Sequence, residues 1–127
     1  MSDLDEFKAT YFEECSELLI ELEEQFTAIE EGDHSSDRMN AVFRAIHSVK
    51  GGAGAFGFEK LVEFAHSFET LLDFVRNGQV DLTAEVITLC IRSIDLVADF
   101  VGAARDEENL ADDYGAEELS RFKILSG

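Results

Sequence analysis

Apolar residues recur at every third or fourth position along most of the chain. Because an α-helix completes a turn in 3.6 residues, this spacing places them on one helical face. The first run is interleaved with glutamates, stops at Gly32 and consists of Leu4, Phe7, Tyr11, Cys15, Leu18, Leu22, Phe26 and Ile29. It predicts an amphipathic first helix of roughly 27 residues.

Three more runs predict further helices, and each is bounded by capping signals. The second follows a polar loop in which Ser35 and Ser36 are candidate caps, ends in glycines, and consists of Met39, Val42, Phe43, Ile46, Val49 and Ala53. The third is closed by Asn77-Gly78 and consists of Leu61, Phe64, Ala65, Phe68, Leu71, Leu72 and Val75. The fourth can be capped by Thr83 and consists of Val86, Ile87, Cys90, Ile94, Val97 and Val101.

A shorter fifth helix is indicated by Leu119, Phe122 and Leu125, after a polar break at residues 106 to 113. The chain has no proline, and strand-like alternation is hard to find. Long amphipathic helices joined by short loops pack antiparallel. We therefore predict an all-α fold: an up-down-up-down four-helix bundle with an additional C-terminal helix, forming one domain over residues 1 to 127.

The formal net charge of −18 changes the range of possible partners. A surface this acidic repels nucleic acids and anionic lipids. The N-terminus is acidic where a signal peptide would be basic, and no apolar run approaches the roughly 20 residues that span a bilayer. We expect no nucleic-acid partner, no membrane insertion and a cytoplasmic location. Cys15 and Cys90 fall on apolar helical faces, so we expect buried thiols rather than a disulfide or a metal pair.

Residues 52 to 57, GAGAFG, match the G-x-G-x-x-G string of dinucleotide-binding loops. That fingerprint has its meaning between a strand and a helix, whereas the residues before it here have a helical pattern. No Gly-Lys-Ser or Gly-Lys-Thr follows the glycines, so a P-loop is not indicated either. We do not expect this segment to bind a nucleotide.

His47 lies at the solvent boundary of the second helix, about 110° from its apolar direction. Gly51 lies one turn beyond it on nearly the same side, and Gly54 lies two turns along. Missing side chains there would let the backbone of another protein approach the imidazole. Lys50 could hold a cation near any anion that the imidazole carries. The plainer alternative is that the glycines only end the helix.

Glu69 on the third helix can face His47 if the two helices are antiparallel neighbours. Both residues lie some 15 to 18 Å from the turn between them, at 1.5 Å per residue. A carboxylate that accepts a hydrogen bond from Nδ1–H fixes the tautomer and leaves the Nε2 lone pair as a nucleophile. His66 lies one turn before Glu69 and farther from the apolar direction.

The segment NAVFRAIHSVKGGAGAFGF, residues 40 to 58, resembles the phosphoaccepting motif of the histidine phosphotransfer (HPt) domain of CheA chemotaxis kinases. The resemblance continues through His66 and Glu69 to residue 78, and it includes the N-terminal pattern FKATYFEECSELL. It implies the HPt fold and a two-component signalling function. The chain would then be a piece of a longer histidine protein kinase.

The resemblance also implies a role for each matching residue. His47 would accept a phosphoryl group from a CheA-type ATP-binding kinase domain and pass it to an aspartate in a receiver domain of the CheY or CheB type. Glu69 would orient the imidazole, Lys50 would neutralise phosphate oxygens, and His66 would support the site or take part in docking. Gly51 and Gly52 would give clearance to the partner. ATP and Mg²⁺ would be bound by the partner domains, with no cofactor or metal in this domain.

Two other classes of function compete with this one. A non-catalytic helical adaptor would show the same apolar faces and would carry no covalent modification. A carboxylate-bridged metal enzyme is suggested only by the spacing of Glu63 and His66, because such sites need two Glu-x-x-His pairs that point into the core. This chain has one such pair, and both of its members are predicted to point outward.

Overall fold

A computed structural model describes residues 2–127 and contains five helices, with no strand among these residues. The helices are α1 (Asp3–Glu30), α2 (Ser36–Phe56), α3 (Glu59–Arg76), α4 (Ala84–Asp106) and α5 (Ala116–Ser126). The predicted all-α class is confirmed. No helix in this part of the chain is long and apolar enough to cross a membrane.

The helix boundaries follow the capping residues of the sequence. The Ser35 side chain accepts a hydrogen bond from the backbone N–H of Arg38 at the start of α2, and Thr83 does the same for Val86 at the start of α4. Each satisfies a backbone donor that has no partner inside the helix. The predicted caps Ser35 and Thr83 are therefore confirmed.

The glycines at the end of α2 are part of the helix. The helix continues through Gly51, Gly52 and Gly54 to Phe56, and its C-cap Gly57 adopts a left-handed conformation with φ 75°. A glycine inside a helix costs about 1 kcal/mol relative to alanine. Tertiary packing overrides this cost here, because Ala53 within the glycine segment is fully buried in the core.

The first four helices close a ring. α1 packs against α2 and α4, and α3 packs against the same two helices from the other side. Together with the short connections, this is the predicted four-helix bundle. The additional helix α5 packs on α3. Both sides of α3 are thus covered, which holds the α2–α3 pair firmly within the bundle.

The core is continuous through the bundle and contains residues from all five helices. Its largest fully buried side chains include Phe26, Phe64, Phe68 and Phe122. Cys15 and Cys90 are buried free thiols, as predicted. Burial raises the pKa of the Cys90 thiol to about 12, so this group is uncharged at neutral pH.

The first turns of α1 depart from the predicted core. Leu4 is 53% exposed and Phe7 is 66% exposed, although both fit the apolar period. Tyr11 and Phe12 pack at the level of Phe58, just after the turn between α2 and α3. The apolar side chains in the first turns of α1 therefore lie outside the core.

Candidate functional site

His47 and Glu69 face each other across the α2–α3 interface. The distance from His47 Nδ1 to Glu69 Oε2 is 2.6 Å, a hydrogen bond between an imidazole and a carboxylate. The side chain of His47 is 62% exposed, whereas that of Glu69 is 11% exposed. The carboxylate therefore engages Nδ1 from inside the bundle, and Nε2 on the other edge of the ring is the nitrogen left to react.

Lys50 binds the second oxygen of the same carboxylate. Its Nζ lies 2.7 Å from Glu69 Oε1, and its side chain is 23% exposed. Glu69 thus joins the imidazole and the ammonium group, which lie about one turn apart on α2. Lys50 was expected to neutralise phosphate oxygens; its partner in the structure is Glu69, and the role toward phosphate stays a prediction.

The ionisation of Glu69 depends on opposing effects. Burial raises the pKa of the carboxyl group, but hydrogen bonds from Lys50 and His47 lower it by more, so the net pKa lies below the usual 4.5. Glu69 is therefore ionised at neutral pH and acts only as an acceptor. An acceptor at Nδ1 requires that this nitrogen carry the proton, which selects the tautomer with a lone pair on Nε2.

The three glycines of α2 have different surroundings. A Cβ added to Gly51 or Gly54 would meet no atom within 4 Å, so the surface beside His47 is open there. A Cβ on Gly52 would lie 2.1 Å from a ring carbon of Tyr11. The aromatic ring of α1 thus takes up the space that a side chain at Gly52 would need, and clearance for a partner protein at Gly52 stays a prediction.

Tyr11 also binds the backbone of α2 directly. Its hydroxyl group donates a 2.6 Å hydrogen bond to the carbonyl oxygen of Val49, between His47 and Lys50 in sequence. The ring contacts Gly52, one turn farther along the same helix. Sequence reasoning treated Tyr11 as an ordinary core residue. A buried tyrosine needs a partner for its hydroxyl group, and this is the signal that could have found the contact.

Two further residues near His47 were not singled out from the sequence. The ring of Phe43 lies parallel to the imidazole, and the guanidinium group of Arg76 lies over the face of Phe43. Phe43 was assigned to the apolar face of α2, and Arg76 is the last residue of α3. Their meeting depends on the pairing of the two helices.

His66 lies on the exposed side of α3, and its backbone carbonyl accepts a hydrogen bond from the Thr70 hydroxyl group. Within residues 2–127, no hydrogen bond joins the His66 ring to His47 or Glu69. Its supporting role stays a prediction. In the same residues no cluster of three or more His, Cys, Asp or Glu side chains could hold a metal ion.

The GAGAFG string lies in the last turns of α2 and at its C-cap. It does not join a strand to a helix, as a dinucleotide-binding loop does. The backbone N–H groups that would cradle a phosphate are engaged in the helix instead. The helical context that was predicted for these glycines is confirmed.

Comparison with known proteins identifies relatives of the chain. The family model of the Hpt domain matches residues 6–107. The chemotaxis protein CheA of Rhizobium meliloti is 49% identical over 104 residues, which cover 82% of this chain and 14% of that protein. CheA of Salmonella typhimurium is 37% identical over 106 residues, covering 84% of this chain and 16% of that protein.

Solved structures have the same fold. The phosphorylated P1 domain of CheA3 from R. sphaeroides, in complex with CheY6, superposes with a TM-score of 0.81 at 25% identity, covering 96% of this chain and 99% of that one. The CheA phosphotransferase domain of Thermotoga maritima gives a TM-score of 0.73 at 26% identity, covering 82% and 98%.

The matched segment is a small part of each curated relative, and the chain spans about one seventh of their length. The sequence match over that segment, the helical bundle and the histidine beside a buried glutamate agree with one another. The chain belongs to the Hpt family and is a histidine phosphotransfer domain of the kind found in CheA chemotaxis proteins.

Proposed function

We propose that this domain carries a phosphoryl group on His47 Nε2 within a CheA-type histidine kinase. The observation that carries the proposal is the 2.6 Å hydrogen bond from Nδ1 to Glu69 Oε2. It keeps the proton on Nδ1 and leaves a lone pair on Nε2, on a side chain that is 62% exposed. A partner protein can reach this nitrogen without any opening of the bundle.

The acceptance step needs little from the domain beyond a positioned nucleophile. The Nε2 lone pair attacks the γ-phosphorus of ATP bound in a kinase domain, and the bond from phosphorus to the ADP oxygen breaks. The proton on Nδ1 stays in place, so the ring gains positive charge. Glu69 stabilises that charge, and the Lys50 ammonium, bound to the same carboxylate, attracts the phosphoryl oxygens.

The second step reverses the bonding at Nε2. A carboxylate oxygen of a receiver-domain aspartate attacks phosphorus, and the N–P electron pair returns to the imidazole. The complex between the phosphorylated P1 domain of R. sphaeroides CheA3 and CheY6 supports a receiver domain of the CheY type as partner. A receiver domain of the CheB type is proposed as a partner on the same grounds. The proposal also places ATP and Mg²⁺ in the partner domains and this domain in the cytoplasm.

The test is transfer of radiolabel from ATP by a CheA kinase domain. We expect a label that is labile in acid and stable in base, and that is absent from the His47→Gln variant. His34→Gln is the matched control, since His34 binds the Ile29 carbonyl oxygen at the far end of α1 and should not affect labelling. Addition of a CheY-type receiver should remove the label from the domain.

Labelling that persists in His47→Gln would overturn the assignment of the acceptor. If neither the kinase domain nor a small phosphoramidate labels a folded sample, the alternative of a non-catalytic helical adaptor replaces the proposal. His66→Ala belongs in the same experiment, because a slower transfer in this variant would give His66 the supporting role that its position alone does not give it.

A further inference from the structure

Phe43 lies beside the imidazole of His47, one turn earlier on α2. The two ring centroids are 6.2 Å apart, and the ring planes differ by only 10°. Residues four apart share a helical face, and their side chains lean toward the start of the helix. The imidazole therefore leans toward an aromatic ring on one side. On the other side is Gly51, where an added Cβ would meet nothing within 4 Å.

Arg76 holds Phe43 from the last turn of α3. The guanidinium carbon of Arg76 lies 3.9 Å from the Phe43 ring centroid, a close cation–π contact. The guanidinium group is itself bound to Asp73, with Nη2 2.6 Å from Oδ1. Phe43 is only partly buried, so core packing alone does not fix its ring. The contact with Arg76 covers one face of the ring.

The imidazole needs more than the bond to Glu69 to be held in one orientation. One hydrogen bond at Nδ1 fixes a point on the ring, and rotation about that point would change the direction of Nε2. The parallel Phe43 ring restricts this rotation. We infer that Phe43, clamped by Arg76, is a positioning residue that fixes the plane of the His47 imidazole for phosphoryl transfer.

This inference rests on the proposed function and adds a requirement of direction to it. The Nε2 lone pair must lie in line with the phosphorus–oxygen bond that breaks, because displacement at phosphorus is sensitive to alignment. Glu69 sets the protonation state of the ring, whereas Phe43 sets its plane. The two residues therefore have separable effects.

The first test uses a small phosphoramidate as donor, so that docking of a partner protein does not enter the rate. Attack by Nε2 then forms the N–P bond and releases ammonia. We expect Phe43→Leu to slow labelling of His47 by roughly five- to tenfold, since leucine fills the space without a planar face. Phe43→Tyr keeps the face and should stay within about twofold of the wild type. A labelling rate of Phe43→Leu equal to that of the wild type would overturn the inference.

Arg76→Gln is the second variant, with an expected loss of about two- to threefold. Arg105→Gln is its matched control, since Arg105 also binds a nearby aspartate, Asp106, but lies on α4. Its labelling rate should equal that of the wild type. Equal rates for the Arg76→Gln and Arg105→Gln variants would remove Arg76 from the proposed role.

Carbon relaxation of the imidazole Cδ2–H and Cε1–H groups gives a readout that a merely structural role would not change. Phe43→Tyr should keep the ordered ring of the wild type, and Phe43→Leu should give a more mobile ring, with Nδ1 still bound to Glu69 in both variants. Unchanged ring mobility in Phe43→Leu would count against positioning. If wild-type His47 accepts no phosphoryl group from any donor, the proposed function fails, and these relaxation measurements still decide whether Phe43 orients the ring.

Discussion

Glu69 divides its two oxygens between a nucleophile and a cation. Oε2 accepts from His47 and Oε1 accepts from Lys50, at 2.6 and 2.7 Å. The carboxylate lies below the protein surface, where an ionic hydrogen bond is stronger than in water. Loss of its charge should therefore change the reactivity of His47 without removing the histidine.

Glu69→Gln tests this role, because glutamine keeps the shape of the side chain and loses the charge. We expect phosphorylation of His47 to slow by about one to two orders of magnitude, since the positive charge that develops on the ring is no longer balanced. The measurement is the initial rate of labelling with ATP and a kinase domain.

Glu118→Gln is the control for a general effect of removing a buried charge. Glu118 is 4% exposed and pairs with Arg92 at 2.8 Å, between α5 and α4. We expect it to lower the free energy of unfolding, because the hydrogen bond between Arg92 and this buried side chain is weakened, with labelling unchanged. Equal labelling rates for the Glu69→Gln and Glu118→Gln variants would mean that Glu69 is only structural.

The three glycines give α2 two faces with opposite requirements. Gly51 and Gly54 border open solvent, and Gly52 is pressed against Tyr11. All three lie inside the helix, where alanine is favoured over glycine by about 0.5–1 kcal/mol. Any preference for glycine at the open positions must therefore come from function rather than from stability.

Single Gly→Ala substitutions separate these cases. Gly51→Ala and Gly54→Ala should raise the free energy of unfolding by about 0.5–1 kcal/mol each. Gly52→Ala should lower it by about 1–3 kcal/mol, because the new methyl group meets the Tyr11 ring and the packing must shift. Urea unfolding of the three variants measures this order. A stabilised Gly52→Ala variant would contradict the contact with Tyr11.

The positions of the helices could be predicted because their signals are local. Ser35, Thr83 and Gly78 act on their own helix ends, and the apolar period of each helix is contained within it. The pairing of His47 with Glu69 could also be predicted. In two antiparallel helices joined by a short turn, residues that are equally far from the turn along the chain lie opposite each other.

Contacts that depend on how the helices rotate against each other could not be predicted in this way. The ring of Tyr11 beside Gly52 comes from the α1–α2 interface, and Arg76 over Phe43 comes from the α2–α3 interface. Leu4 and Phe7 show the same limit. Their spacing fits the apolar face of α1, but the core does not extend to the first turns of that helix. A helical period gives the direction of a side chain but does not indicate what lies opposite.

The fifth helix lies beyond residues 6–107, the segment matched by the family model, yet it is part of the core. Phe122 is 1% exposed; its ring is parallel to that of Phe68 at 5.5 Å and edge-on to that of Phe64 at 5.6 Å. Both partners lie on α3, the helix that carries Glu69. The support of the site thus extends through α3 to the end of the chain.

Phe122→Ala should lower the free energy of unfolding by about 3–5 kcal/mol, the usual effect of removing a buried phenylalanine. Ile124→Ala on the same helix is the control, because Ile124 is 79% exposed and its loss should cost less than about 0.5 kcal/mol. Chemical denaturation compares the two variants. A small effect of Phe122→Ala would mean that α5 is dispensable for the stability of the bundle.

The exposure of His47 has a consequence for the lifetime of the phosphorylated state. Many enzymes protect a reactive intermediate by closing over it and excluding water. Here the side chain that would carry the phosphoryl group is 62% exposed, and the glycines beside it leave its surroundings open. Protection must then come from the N–P bond and its neighbouring charges. Among the residues that the structure describes, none forms a lid over this side chain, so hand-over from this domain would need no opening step of its own.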